Sequence, residues 1–146
     1  MRKDLKVKNL AELSQLAGEI QKKIVPRTLV LLDGPLGTGK TAFVKKLMKL
    51  YGLKENFVKS PTFSLINVYP TTDLIFYHLD LYRLDEPDLF LIEEIKEMLA
   101  EPNSVILIEW PQTIPLEEMA GLVRQLIEIK ISFDAENFRN FSVYVK

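Results

Sequence analysis

Hydrophobic and polar positions alternate at the start of the chain, Leu5 and Val7 against Lys6 and Lys8, which predicts a short edge strand over the first eight residues. From Asn9 the period changes to that of a helix. Leu10, Leu13, Leu16, Ala17, Ile20 and Ile24 fall on one stripe, with Asn9 as N-cap, Glu12 three residues on and Pro26 as the stop. Leu29 to Leu32 is continuous and aliphatic, the pattern of a strand buried on both faces. Phe43, Val44, Leu47, Met48, Leu50 and Tyr51 then recur at helical spacing up to Gly52, a C-terminal stop.

The second half repeats this grammar. Phe57 to Tyr69 and Leu74 to Asp80 read as strands separated by Tyr69-Pro70-Thr71-Thr72-Asp73, with Pro61 placing the Ser60-Pro61-Thr62 step at an edge or in a loop. Asp85 is expected to cap a helix starting at Glu86 and Pro87, with Leu91, Ile92, Ile95, Met98 and Leu99 inward. Ser104 to Pro111 holds a second buried run, which ends in Glu109, and a short helix is expected around Leu116 to Leu122. Ile127 to Phe133 and Phe141 to Val145 alternate with period two and predict an antiparallel C-terminal hairpin. With no repeat, low-complexity tract or linker, residues 1–146 read as one domain. The expected fold is a three-layer α/β/α, P-loop NTPase-like domain with a mixed sheet.

Composition narrows the function. The net charge of −1 and pI near 5.9 argue against a broad electrostatic grip on nucleic acid. The absence of cysteine excludes disulfides and thiolate metal sites. No leader or apolar run of membrane-spanning length is legible, and the expected address is the cytoplasm.

The candidate chemistry lies where the first buried run meets the second helix. Gly34-Pro35-Leu36-Gly37-Thr38-Gly39-Lys40-Thr41 fits G-x-x-x-x-G-K-[ST], in which glycines let backbone N–H groups wrap an anion at the positive end of a helix. Lys40 would reach the β- and γ-phosphates, and the Thr41 hydroxyl would sit on a magnesium ion bridging them. The alternative is a glycine-rich turn that binds nothing. Asp80 and Glu109 each end an aliphatic strand, where α/β sheets place ligand-binding groups, and are the acids expected to govern the metal and the attacking water, the alternative being that one of them is only a helix cap or a surface acid. Thr62 is placed to sense a γ-phosphate or simply to bond locally. Trp110, the only tryptophan, could stack beside the base or belong to the core. His78 shares a strand face with Asp80 and reads better as a packed, hydrogen-bonded residue than as a zinc ligand. Lys45, Lys46 and Lys49 read as a solvated face.

Taken together, the phosphate loop, Ser60-Pro61-Thr62-Phe63-Ser64-Leu65, His78-Leu79-Asp80-Leu81-Tyr82-Arg83-Leu84 and Ile108-Glu109-Trp110-Pro111 resemble the TsaE family, also called YjeE, of small bacterial P-loop ATPases. The resemblance implies a part in making threonylcarbamoyladenosine on tRNA, as the ATPase that binds the TsaB and TsaD proteins, with tRNA met through that complex. It also implies ATP and Mg²⁺ as ligands. It carries the phosphate loop onto Gly34 to Ala42, including Gly34, Gly37, Thr38, Gly39, Lys40, Thr41 and Ala42. The magnesium ligands fall on Thr41 and Glu109, the Walker-B-like acid on Asp80 and the switch-like threonine on Thr62. The family usually has an acid where this chain has Pro35. It also commonly carries a Gly-Arg pair in the late hairpin turn; here the turn reads Asn137-Phe138-Arg139-Asn140, with Arg139 the equivalent near the nucleotide.

Other functions fit less well. A small-molecule kinase gathers arginines onto the phosphates, whereas Arg2, Arg27, Arg83, Arg124 and Arg139 are scattered along the chain. A GTPase is disfavoured by the lack of N-K-x-D and of a glycine three residues after Asp80. A non-catalytic module in which ATP orders the Thr62 loop for docking is the alternative from another class.

Overall fold

The computed structural model describes residues 1–58 and 66–146. Of the strand expected over Phe57 to Tyr69, Phe57 belongs to a 3₁₀ turn (Glu55–Phe57), Ile66 to Tyr69 lie in a strand (Ile66–Pro70), and residues 59–65, with the Ser60-Pro61-Thr62 step, lie outside the described residues. Among the described residues seven strands form one sheet: β1 (Arg2–Val7), β2 (Thr28–Asp33), β3 (Ile66–Pro70), β4 (Ile75–Asp80), β5 (Ser104–Glu109), β6 (Gln125–Phe133) and β7 (Arg139–Val145). Their order is β1-β7-β6-β2-β5-β4-β3. β6, β2, β5 and β4 are mutually parallel, and β7, β1 and β3 join antiparallel at the two sides. The sheet is therefore mixed and ends in the expected hairpin.

Among the described residues four α-helices cover it: α1 (Leu10–Gln21), α2 (Lys40–Leu50), α3 (Leu89–Ala100) and the single turn α4 (Leu116–Met119). The alternation along β2 divides the interior. Val30 and Leu32 join Leu16, Ile20, Phe43 and Leu47 under α1 and α2, while Leu29 and Leu31 join Leu91, Ile95 and Leu99 under α3. Both faces of the central strands are thus withdrawn from water, which explains their unbroken aliphatic runs.

Helix ends show where local signals were sufficient. Asn9 caps α1, its side chain accepting from the Glu12 N–H at 2.9 Å, while the Glu12 carboxylate reaches the Lys8 N–H at 2.7 Å. Leu10, at the start of the stripe, is exposed, and the helix stops at Gln21, before Pro26, although Ile24 still packs against the core. α2 closes as a Schellman motif: Gly52 has φ +92°, its N–H meets the Lys49 carbonyl, and the Leu53 N–H meets that of Met48. The cap of α3 is Asp88, not Asp85. The Asp88 carboxylate accepts from the Leu91 N–H at 3.1 Å, and Pro87 precedes the cap. The short helix expected up to Leu122 ends at Met119. No helix among the described residues is long and apolar enough to cross a membrane.

Candidate nucleotide and metal site

Three parallel strands deliver the site. β2 ends at Asp33, and the loop turns at once around Gly34, where an added Cβ would stand 2.7 Å from the Ile131 carbonyl oxygen on β6. Only glycine fits so close to the neighbouring strand. Gly37 and Gly39 have φ of +77° and +101°, the left-handed region that side chains avoid. Between them Thr38 is buried, its hydroxyl donating to the Pro35 carbonyl at 2.8 Å. That carbonyl also accepts from the Thr38 N–H at 3.3 Å and from Lys40 Nζ at 2.9 Å. Pro35, which lacks a donor of its own, therefore serves the loop as an acceptor.

α2 opens at Lys40. Its N-cap is Gly39, and no side-chain cap is made among the described residues, so the first-turn amides keep the donors that a helix cannot satisfy internally. Lys40 is 5% exposed and donates to the Gly34 carbonyl at 2.5 Å as well as to that of Pro35. Burial lowers its pKa below the usual lysine value, while the charges of Glu109, Asp80 and Asp33 act the other way. Trp110 lies over the ammonium, 4.1 Å from Nζ to the ring centroid. This tryptophan takes φ +60°, donates its N–H to the Leu32 carbonyl at 3.1 Å and packs against Tyr82 with ring centroids 4.8 Å apart. Its ring thus faces the phosphate-loop lysine.

The two acids are register partners. In the parallel β4–β5 pairing Asp80 stands opposite Glu109. Glu109 is 2% exposed, and the Thr41 hydroxyl lies 3.0 Å from Oε1 and 3.1 Å from Oε2. Asp80 accepts from the Tyr82 N–H at 3.0 Å. Lys40, Thr41, Asp80, Glu109 and Trp110 line one cleft of about 270 Å³ with Gly37 and Gly39. A neighbouring pocket of about 200 Å³ shares Thr38, Gly39 and Ala42 with the loop and is walled by Leu10, Arg139 and Phe141.

Arg139 opens β7 and crosses to the loop. Its Nη2 donates to the Gly37 carbonyl at 3.1 Å and its Nε to that of Thr38 at 3.2 Å. In the turn before it Asn137 takes the left-handed conformation, with φ +64°. The Asp134 carboxylate holds that turn by accepting from the N–H groups of Glu136 and Phe138. Thr62 lies outside the described residues. Lys46 is engaged with Glu55 at 2.8 Å.

Sequence reasoning left two contacts unseen. Asp33 accepts from Gln112 Nε2 at 2.6 Å, which ties the end of β2 to the turn after Trp110. His78, expected to be packed and hydrogen-bonded, is fully buried as anticipated, but its partner is Glu109, with Nε2 2.5 Å from Oε2. The shared face of His78 and Asp80 was legible, whereas the register that brings Glu109 beside them was not.

The residues present fit a magnesium nucleotide. A close-approach glycine, an open helix N-terminus and a lysine suit a polyphosphate. Among the described residues no group of three His, Cys, Asp or Glu could hold a metal alone. Magnesium takes few protein oxygens and completes its shell with water and phosphate, so Thr41 and Glu109 are a donor set that could hold it.

The fold and this loop together define a P-loop NTPase-like domain. A crystal structure of Bacillus subtilis YdiB superposes on 98% of the chain and 84% of its own, with a TM-score of 0.72 at 24% identity, and shares this fold. The model of the threonylcarbamoyl adenosine biosynthesis protein TsaE matches residues 7–141. Relatives bearing the name tRNA threonylcarbamoyladenosine biosynthesis protein TsaE include that of Rickettsia felis, 36% identical over 92% of this chain and 75% of its own. That of Aquifex aeolicus is 36% identical over 90% and 88%. The chain belongs to the TsaE family, which takes part in tRNA threonylcarbamoyladenosine biosynthesis.

Proposed function

We propose that this chain binds ATP with magnesium and hydrolyses it as the ATPase of the threonylcarbamoyladenosine machinery, acting in the cytoplasm with TsaB and TsaD and meeting tRNA through that complex. The observation that carries the reading is the Glu109 carboxylate. It is buried, sits at the end of a central parallel strand, and is held against the Thr41 hydroxyl one residue from Lys40. A carboxylate in that place suits a cation, and the helix N-terminus and lysine beside it suit an anion.

In this reading the amides of Gly37 to Thr41 and the Lys40 ammonium bind the β- and γ-phosphates. Thr41 and Glu109 hold magnesium, which when bound neutralises charge developing on the phosphate oxygens. Asp80, beside Glu109 in the register, orients the attacking water. The pocket between Leu10 and Phe141 takes the nucleoside end, since it adjoins the loop on the side away from the two acids. Arg139 steadies the loop through two carbonyls, and Trp110 covers Lys40. Thr62 is assigned to γ-phosphate sensing on the strength of the family motif.

Phosphate release from the chain mixed with TsaB, TsaD and tRNA tests this. Glu109→Ala is expected to abolish partner-stimulated turnover while weakening ATP binding less. Undiminished release by the variant removes Glu109 from the mechanism, and no release by the unaltered mixture leaves a nucleotide-dependent assembly module.

A further inference from the structure

Glu109 has two oxygens that the Thr41 hydroxyl approaches almost equally, at 3.0 and 3.1 Å. A glutamate has three side-chain torsions, so this contact alone does not decide which oxygen faces the loop. His78 makes the distinction. It is the chain's one histidine and has no exposed surface. Asp80 is opposite Glu109 and His78 opposite Leu107, so His78 sits two residues back on the face from which Glu109 projects. Its Nε2 is 2.5 Å from Oε2 of Glu109, and its Nδ1 is 3.3 Å from the hydroxyl of Tyr69 on β3.

The donors and acceptors along this row are satisfied by a neutral imidazole. A carboxylate only accepts, so Nε2 carries the hydrogen and Nδ1 accepts. The Tyr69 oxygen accepts from Asn67 Nδ2 at 3.3 Å and gives its proton to Nδ1. A neutral imidazole protonated at Nε2 satisfies both neighbours, and the Glu109 carboxylate, which can only accept, selects it.

We infer that His78 is a positioning residue for the metal site: buttressed through Nδ1 by the Tyr69 hydroxyl, it pins Oε2 of Glu109 through Nε2 and keeps Oε1 on the Thr41 side, where magnesium would be held. This rests on the reading of Glu109 as a magnesium ligand. It extends that site to β3 at the far edge of the sheet, through a row of side chains running across β4 and β5. Groups that orient a metal's ligands change metal affinity or activity by about 10- to 100-fold when removed.

Two measurements test it. Long-range ¹⁵N spectra of the protein without nucleotide report a single imidazole and are expected to show one fixed tautomer protonated at Nε2; an averaged or Nδ1-protonated imidazole overturns the inference. Calorimetric titration with ATP, in magnesium and in EDTA, is then compared for the unaltered chain, His78→Leu, His78→Gln and Tyr69→Phe. His78→Leu is expected to cut the magnesium-dependent gain in affinity by about tenfold or more while leaving the EDTA value unchanged. His78→Gln, which keeps a donor, should recover most of it, and Tyr69→Phe should show a part of the loss. An undiminished gain in His78→Leu, or equal losses with and without magnesium, assigns His78 to packing alone. If His78→Leu does not fold, Tyr69→Phe decides by the same comparison. If the unaltered chain gains nothing from magnesium, the reading of Glu109 fails and this inference with it; a normal gain that His78→Leu preserves defeats this inference only.

Discussion

At the scale of single residues, Lys40 carries the sharpest conflict between stability and function. Its ammonium is buried against two carbonyls and an aromatic ring, and burial lowers its pKa from the usual 10.5. The folded state therefore releases this proton at a lower pH than the unfolded chain does. Between the lowered value and 10.5 the unfolded state binds more protons, so stability rises with pH across that window. Melting curves of the unaltered chain and of Lys40→Met through the alkaline range should show their difference moving in favour of the lysine as pH rises. A pH-independent difference would mean that the ammonium is not desolvated. The motif itself was legible in the residues; the contact with Trp110 was not, because it depends on that tryptophan's left-handed backbone.

Among the elements, α3 separates what local pattern decides from what it leaves open. Asp85 and Asp88 both precede the same apolar stripe, and the Glu86-Pro87 pair after Asp85 has the look of a first turn. The helix begins later because Asp88 adopts an extended backbone and its carboxylate captures the Leu91 N–H. Asp88→Ala should therefore cost about 1 kcal/mol in denaturant unfolding, with Asp85→Ala much closer to neutral. Equal costs would contradict the cap. The α1 stripe was over-read at one end only: Leu10 continues its period but is exposed, while Ile24 packs against the core although the helix itself stops at Gln21.

For the molecule as a whole, the contact between Arg139 and the loop spans the sheet. Arg139 lies on β7, two strands from β2, and its reach to the Gly37 and Thr38 carbonyls joins residues about a hundred apart in sequence. Charge-assisted hydrogen bonds of this kind contribute about 1.5–3 kcal/mol each where desolvated, and less at a half-exposed position. Arg139→Ala is expected to lower ATP affinity about tenfold with little change in melting temperature, measured by calorimetry alongside thermal unfolding. Unaltered affinity would leave Arg139 as a hairpin residue with no bearing on the loop. The order β1-β7-β6-β2-β5-β4-β3 makes such contacts possible, because it sets the hairpin beside β2.

Sequence alone determined the layered α/β class, the phosphate loop, the two acids at strand ends and the family's four signatures. These depend on short-range chemistry: glycine's conformational range, the period of apolar side chains, and the length of a buried strand. Only the tertiary structure decided that Asp80 and Glu109 are register partners, that His78 ties Glu109 to Tyr69, and that Arg139 reaches the Gly37 and Thr38 carbonyls. The reason is that strand order and register come from packing both sheet faces at once, and no stretch of residues carries that information by itself.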